Sequence, residues 1–205
     1  MILEFYITYI FLIIAVILSI KGFSDPFFVE KYLFIPYRVK HNKEYYRFIS
    51  HAFLHGDPGH LIFNMITLFS FGTALENAIV FFTQNQVLGK IIFLAYCLGA
   101  IIVASLISYY RHSNNYNYRS LGISGMTSAI VFTSILWDPS GYVYMPFKMP
   151  SWIFGLLYLA FEIYSDRNRK TGIAHDAHIA GAIFGILFAI IFKFDQVQKG
   201  FSLLF

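Results

Sequence analysis

The stretch Ser124-Gly-Met-Thr-Ser-Ala-Ile-Val-Phe-Thr-Ser-Ile-Leu-Trp137 is small or apolar throughout and carries no charge. Its 14 residues make a helix of roughly 21 Å, against a hydrocarbon core of ~30 Å. So short a segment cannot face lipid and reach water at both ends. It predicts a central helix enclosed by others, with water-reachable space above its start. That start is the turn Leu121-Gly122-Ile123-Ser124-Gly125-Met126. Glycines allow close backbone approach, and N–H groups at a helix start point at any oxyanion formed nearby. A serine hydroxyl placed there still needs a base to act as a nucleophile. A small-residue helix contact or an N-cap serine would account for the turn equally well.

Outward from this segment the chain reads as an all-α, polytopic membrane helix bundle with the short helix fourth of six. Of 205 residues, 58% are hydrophobic and only 13% charged, about half the charge share of a soluble domain. The first span is Tyr6 to Ile20, retained because no basic leader or A-x-A cleavage site accompanies it. The second runs from near His60 to Phe82, the third from Gly89 to Tyr109, the fifth from Trp152 to Tyr164 and the sixth from His178 to Phe192. Residues 21 to 50 carry Pro26, Pro36 and apolar patches, which predicts a segment lying in the interface. Cys97 is the single cysteine, so no intramolecular disulfide forms. The net charge of +4 belongs to connecting segments, which argues against nucleic acid as a partner.

Six spans place the connections after the first, third and fifth on one side. His51, His55, His60, Ser124 and His178 then converge at helix ends at one depth. His178, inside an apolar segment, is a functional candidate because a membrane histidine is costly. Neutral near pH 7, it can take a hydroxyl proton and return it to a leaving amine. Gly181 and Gly185 follow it on a small-xxx-small face that admits a close neighbour. His60 and Asn64 are i and i+4, so they share a helix face, and both can donate to an oxyanion. Interhelical hydrogen bonding would explain that pair as well. A metal set drawn from His51, His55, His60, His175, Asp176 and His178 has irregular spacing and no H-E-x-x-H pair, so no metal site is expected.

These residues resemble the rhomboid intramembrane serine proteases of the compact six-helix bacterial type, from about Glu44 to Gly185. Gly122-Ile123-Ser124-Gly125 resembles the nucleophile motif and Ala177-His178-Ile179-Ala180-Gly181-x3-Gly185 the base helix. The histidine-rich run ending at Asn64, with His55 and His60, resembles the second-helix signature, and Glu76 falls at a further matching position. Tyr46-Arg47 resembles a Trp-Arg pair in the first loop, with tyrosine in place of tryptophan. One departure is Ser128, where some relatives place an aromatic that packs on the histidine.

The resemblance implies a Ser124–His178 dyad with no catalytic acid, and an oxyanion hole made by His60, Asn64 and the Ser124 backbone N–H. Gly122, Gly125, His55, Gly181, Gly185, Tyr46, Arg47 and Glu76 would support them, while Asp176 points elsewhere. It further implies one membrane domain over residues 1–205, with a core of about 44–192 and a peripheral tail at 193–205. The expected activity is cleavage of single-span membrane proteins within the bilayer, without cofactor or metal. It would take place in a bacterial inner membrane, with the site open to the extracytoplasmic side. The charge count conflicts with that orientation, since 11 of the 15 Lys/Arg lie on the site's own side. Two other classes fit parts of the pattern. One is a non-catalytic helix-binding scaffold. The other is a transporter, for which Glu76 and Glu162 are the well-placed carboxylates.

Overall fold

The computed structural model describes residues 6–144, 147–168 and 173–204. Arg169 and Lys170, which entered the charge count, lie outside these. Eleven α-helices carry most of the described chain: α1 Ile7–Ser24, α2 Pro26–Tyr32, α3 Pro36–Asn42, α4 Arg47–Ser50, α5 Pro58–Thr67, α6 Thr73–Thr83, α7 Gln86–His112, α8 Ser124–Trp137, α9 Ser151–Asn168, α10 His175–Phe192 and α11 Phe194–Ser202. A wider π-type turn at Leu68–Gly72 joins α5 to α6 without breaking the span.

The helix starts follow local chemistry. Asp57 caps α5 by accepting from His60 N at 2.9 Å, with Pro58 at the first helical position. Asn85 caps α7 through Leu88 N at 3.0 Å. The start of α1 is capped from another helix: buried Glu76 accepts from Ile7 N at 2.8 Å, Thr8 N at 3.0 Å and Thr8 Oγ1 at 2.8 Å. Donors at a buried helix start have no water to turn to, and a carboxylate there also meets the positive end of the helix dipole.

The polytopic helical bundle read from the sequence is the fold. Among the described residues, α1, the α5–α6 span, α7 and α10 are long and apolar enough to cross a membrane. The short helix α8 is the hub, with 11 of its 14 residues buried. It is held against α10 at backbone distance. A Cβ on Gly181 would sit 1.9 Å from Gly125 O, and one on Gly185 2.2 Å from Ala129 O. On another side, a Cβ on Gly125 would meet Ala104 Cβ of α7 at 2.5 Å. Small residues are therefore what let three helices share one axis of contact.

Several boundaries differ from the sequence reading. Helix α10, expected as the sixth span, starts at His175, one turn early, which brings His175 and Asp176 into its first turn. Helix α9 runs past Tyr164 to Asn168. The expected interfacial stretch is broken into α2, α3 and α4. A two-stranded antiparallel ribbon, β1 Tyr142–Tyr144 paired with β2 Lys148–Pro150, precedes α9. Its three-residue strands are too short to show a period of two in the sequence. The tail is helical, and Val197 and Gly200 are buried; Gln196 donates to Trp137 O at the end of α8 at 3.1 Å.

Candidate active site

The chain entering α8 is clamped before it turns. Phe34 and Ser120 exchange backbone hydrogen bonds of 2.9 and 3.1 Å, and Gly122 N donates to His51 O at 3.0 Å. Gly122 then takes φ +118°, open to glycine, and a Cβ there would press on His60 Cε1 at 2.9 Å. This turn presents Ser124 as the first residue of α8.

Across the α8–α10 contact, Ser124 Oγ lies 2.7 Å from His178 Nε2. Gly125 and Gly181 make that distance possible, since they follow Ser124 and His178 closely in sequence and a Cβ on Gly181 would meet Gly125 backbone atoms. The other imidazole nitrogen, His178 Nδ1, is 3.1 Å from Glu162 Oε1 of α9. Nδ1 is fully buried and its N–H line misses the oxygen, so this is a close contact with poor hydrogen-bond alignment. Glu162 Oε2 is 2.6 Å from His175 Nδ1.

The remaining sequence-predicted residues divide into two groups. His60 lies beside the Gly122 turn, and Asn64 is buried next to it. Asn64 Nδ2 donates to His60 O at 3.0 Å, which uses one of its two N–H groups. Thr127 Oγ1 is 3.2 Å from Asn64 Oδ1 and 3.0 Å from Ser124 O, tying the amide to the serine's helix. The second group sits away from the serine. His55 Nδ1 is 2.9 Å from Ser19 Oγ of α1. Arg47 is buried and donates to Glu30 O, Leu33 O and Glu44, and Tyr46 Oη donates to Lys31 O. Arg47 and Tyr46 therefore order the first loop, and Glu76 anchors α1. Asp176 Oδ2 faces Arg111 Nη1 and His112 Nε2 of α7 at 3.6 and 3.7 Å, turned from His178.

Glu162 beside His178 was not assigned to the serine's site by sequence reasoning, nor was His175. An ionisable residue inside an apolar helix is the signal that could have found Glu162. Its three-dimensional neighbours are not legible from spacing, because His175 and His178 are 13 and 16 positions away. Glu162, His175 and His178 each offer a ligand-type atom, all within 4.8 Å of one another. They could hold a metal ion, yet these atoms already face one another. His51, His55 and His60 are not part of that group.

His51 and His55 lie outside the membrane-spanning helices. Burial lowers the His51 imidazole to about 4. Burial, with His60 beside it, lowers His55 to about 3. His51 is held by Arg47 O at 2.8 Å and Ser105 Oγ at 3.2 Å, so the neutral ring is a fixed strut under Gly122.

Ser124, His178, His60, Asn64 and Glu162 line one cavity of about 800 Å³. Phe63, Phe71, Phe154 and Phe161 supply its apolar wall, with Tyr158 and Ser128 at 2.6 Å from each other across it. The space suits an extended apolar segment brought to a small polar end.

Comparison with known proteins finds the Rhomboid domain family matching residues 42–193. The chain is 28% identical over 149 residues to "Rhomboid protease GlpG" of Pectobacterium atrosepticum, covering 70% of this chain and 47% of that one. It is 26% identical over 165 residues to "RHOMBOID-like protein 12, mitochondrial" of Arabidopsis thaliana, covering 74% and 46% respectively. The chain thus spans about half the length of these curated relatives.

Proposed function

The chain belongs to the rhomboid family, and from that premise we propose that it is an intramembrane serine endopeptidase using Ser124 and His178. The observation that carries this is the 2.7 Å Ser124 Oγ–His178 Nε2 contact at the polar end of an apolar cavity. His178 Nε2 takes the hydroxyl proton as Ser124 Oγ attacks the scissile carbonyl, and returns it to the leaving amine. Water, activated by the same nitrogen, then releases the acyl group from Ser124. The Ser124 N–H, with His60 and the second N–H of Asn64, stabilises the oxyanion.

The substrates in this reading are single-span membrane proteins whose helix unwinds locally, because a helical carbonyl is already hydrogen-bonded. Residues 1–205 act as one domain with six membrane helices, α8 and α9 completing the four long ones. The site opens to the extracytoplasmic side of a bacterial inner membrane, with neither metal nor cofactor in the reaction.

Fluorophosphonate labelling of the purified protein in detergent tests the proposal. Wild type should label, and Ser124→Ala and His178→Ala should lose labelling by about 10³-fold or more. If the wild type stays unlabelled while a control serine hydrolase reacts, the chain is better read as a non-catalytic scaffold for membrane helices.

A further inference from the structure

Building on the Ser124–His178 reading, we propose that Glu162 is a positioning residue for the base, so that the reactive group is a Ser124–His178–Glu162 chain rather than a dyad. A neutral imidazole carries one N–H, and a base for Ser124 needs its lone pair on Nε2. The proton must then sit on Nδ1. Glu162 Oε1 is 3.1 Å from that atom, and a carboxylate beside Nδ1 favours the N–H tautomer there. As the Ser124 proton moves to Nε2, the ring becomes imidazolium, and Glu162, still ionised, offsets the new charge. No proton passes to Glu162.

The carboxylate is itself built in. Glu162 is 4% exposed on a helix whose other faces are largely exposed, where an unpartnered buried charge is costly. His175 Nδ1 holds the second oxygen at 2.6 Å, leaving the first toward His178. One turn earlier on the same face, Tyr158 Oη and Ser128 Oγ meet at 2.6 Å, which registers α9 against the helix bearing Ser124. The other polar or titratable groups around His178 are His60 from α5, Ser124 from α8 and Tyr158 from α9. On its own helix, Asp176 Oδ2 faces Arg111 and His112 at 3.6 and 3.7 Å, away from His178. Glu162 is therefore the carboxylate on the imidazole. Its contact is loose as it stands, as is common before substrate binds and closes such bonds.

A plain structural pin between α9 and α10 would use the same contacts, so the test must separate the two. Fluorophosphonate inactivation of the full chain in detergent gives a maximal rate and a half-saturation constant, read beside the thermal midpoint. Glu162→Gln should lower the maximal rate about 10²-fold, with half-saturation and midpoint nearly unchanged. Glu162→Asp, retaining the charge, should recover part of that loss. His175→Gln frees only the far oxygen and should stay within about tenfold of wild type, and it remains informative if Glu162→Gln does not fold. Glu162→Gln labelling at the wild-type rate would overturn the proposal. So would equal losses in Gln and Asp that track a fallen midpoint, or a His175→Gln loss as deep as that expected for Glu162→Gln. An unlabelled wild type would instead remove the Ser124–His178 reading, and this proposal with it.

Discussion

Helices α8 and α9 are neighbours in sequence and differ in how they are held. Helix α8 buries 11 of 14 residues and meets α10 through bare backbone at Gly125 and Ala129. Helix α9 buries only Ser151, Gly155, Glu162 and Ser165 of its 18, with Leu156, Leu157 and Ile163 turned outward. The serine and histidine thus sit on the tightest interface in the molecule, while the carboxylate facing the histidine comes from one of the loosest. In the proposed reading a rigid pair fixes the reaction geometry, and the lightly held helix beside it is the one a substrate helix would displace to reach the cavity.

The hardest way to break this contrast is at Gly181. A valine there would drive its Cβ into Gly125 O, now at 1.9 Å from the Cβ position, and backbone cannot yield as a side chain does. We expect loss of folding, or more than ~3 kcal/mol of stability together with all labelling. Leu157→Ala, on the outward face of α9, is the matched control and should change the thermal midpoint by little. Equal tolerance at both positions would mean that the two interfaces are not so different.

Next in size is Glu76, which shows that the rigid side is polar as well as steric. It accepts three hydrogen bonds at the buried start of α1. Glu76→Ala leaves those donors without water or partner and should cost about 3 kcal/mol or more in thermal or denaturant unfolding. Glu76→Gln should recover part of it. A midpoint unchanged in Glu76→Ala would show that α1 is held by apolar contact alone.

Much of this was legible from the chain because apolar length and small-residue spacing are local signals. The charge-free run 124–137 implied a buried central helix, and Gly181-x-x-x-Gly185 implied a close helix contact before any partner was known. Glu162 and His175 were not legible as part of the serine's site for a physical reason. A carboxylate in a helix carries no mark of which imidazole it will meet, and the start of α10 lay three residues upstream of the expected one. The β1–β2 ribbon escaped because three-residue strands show no periodicity. Arg47 reads from sequence as half of a Tyr-Arg pair that resembles a family motif; that it is buried and binds loop carbonyls follows from how residues 21–50 wind into short helices.

Acid should loosen the rigid side in a defined window. His51 is lowered to about 4 and His55 to about 3, mainly by burial, against ~6.5 when unfolded. The fold therefore favours the neutral rings. Their contribution is fully present above ~6.5 and is lost as pH falls toward the folded values, because the unfolded chain binds protons first. At about pH 5 each would have lost on the order of 2 kcal/mol. The thermal midpoint should fall between pH 7 and 5, and a flat profile would mean that these rings stay hydrated in the folded protein.

The smallest effect belongs to the loose helix. Tyr158→Phe removes the 2.6 Å contact with Ser128 and keeps the ring against Phe132. The loss should be about 1 kcal/mol, since the Ser128 hydroxyl alone is left without that partner. Labelling by a small fluorophosphonate, which enters without moving α9, should stay within about threefold. Cleavage of a transmembrane peptide should instead rise if displacement of α9 limits access, because the variant lowers the cost of that displacement without touching Ser124 or His178. Equal changes with both reagents would place the Ser128–Tyr158 contact in the reaction geometry itself. The division between a rigid pair and a yielding neighbour would then have to be redrawn with Tyr158 on the rigid side.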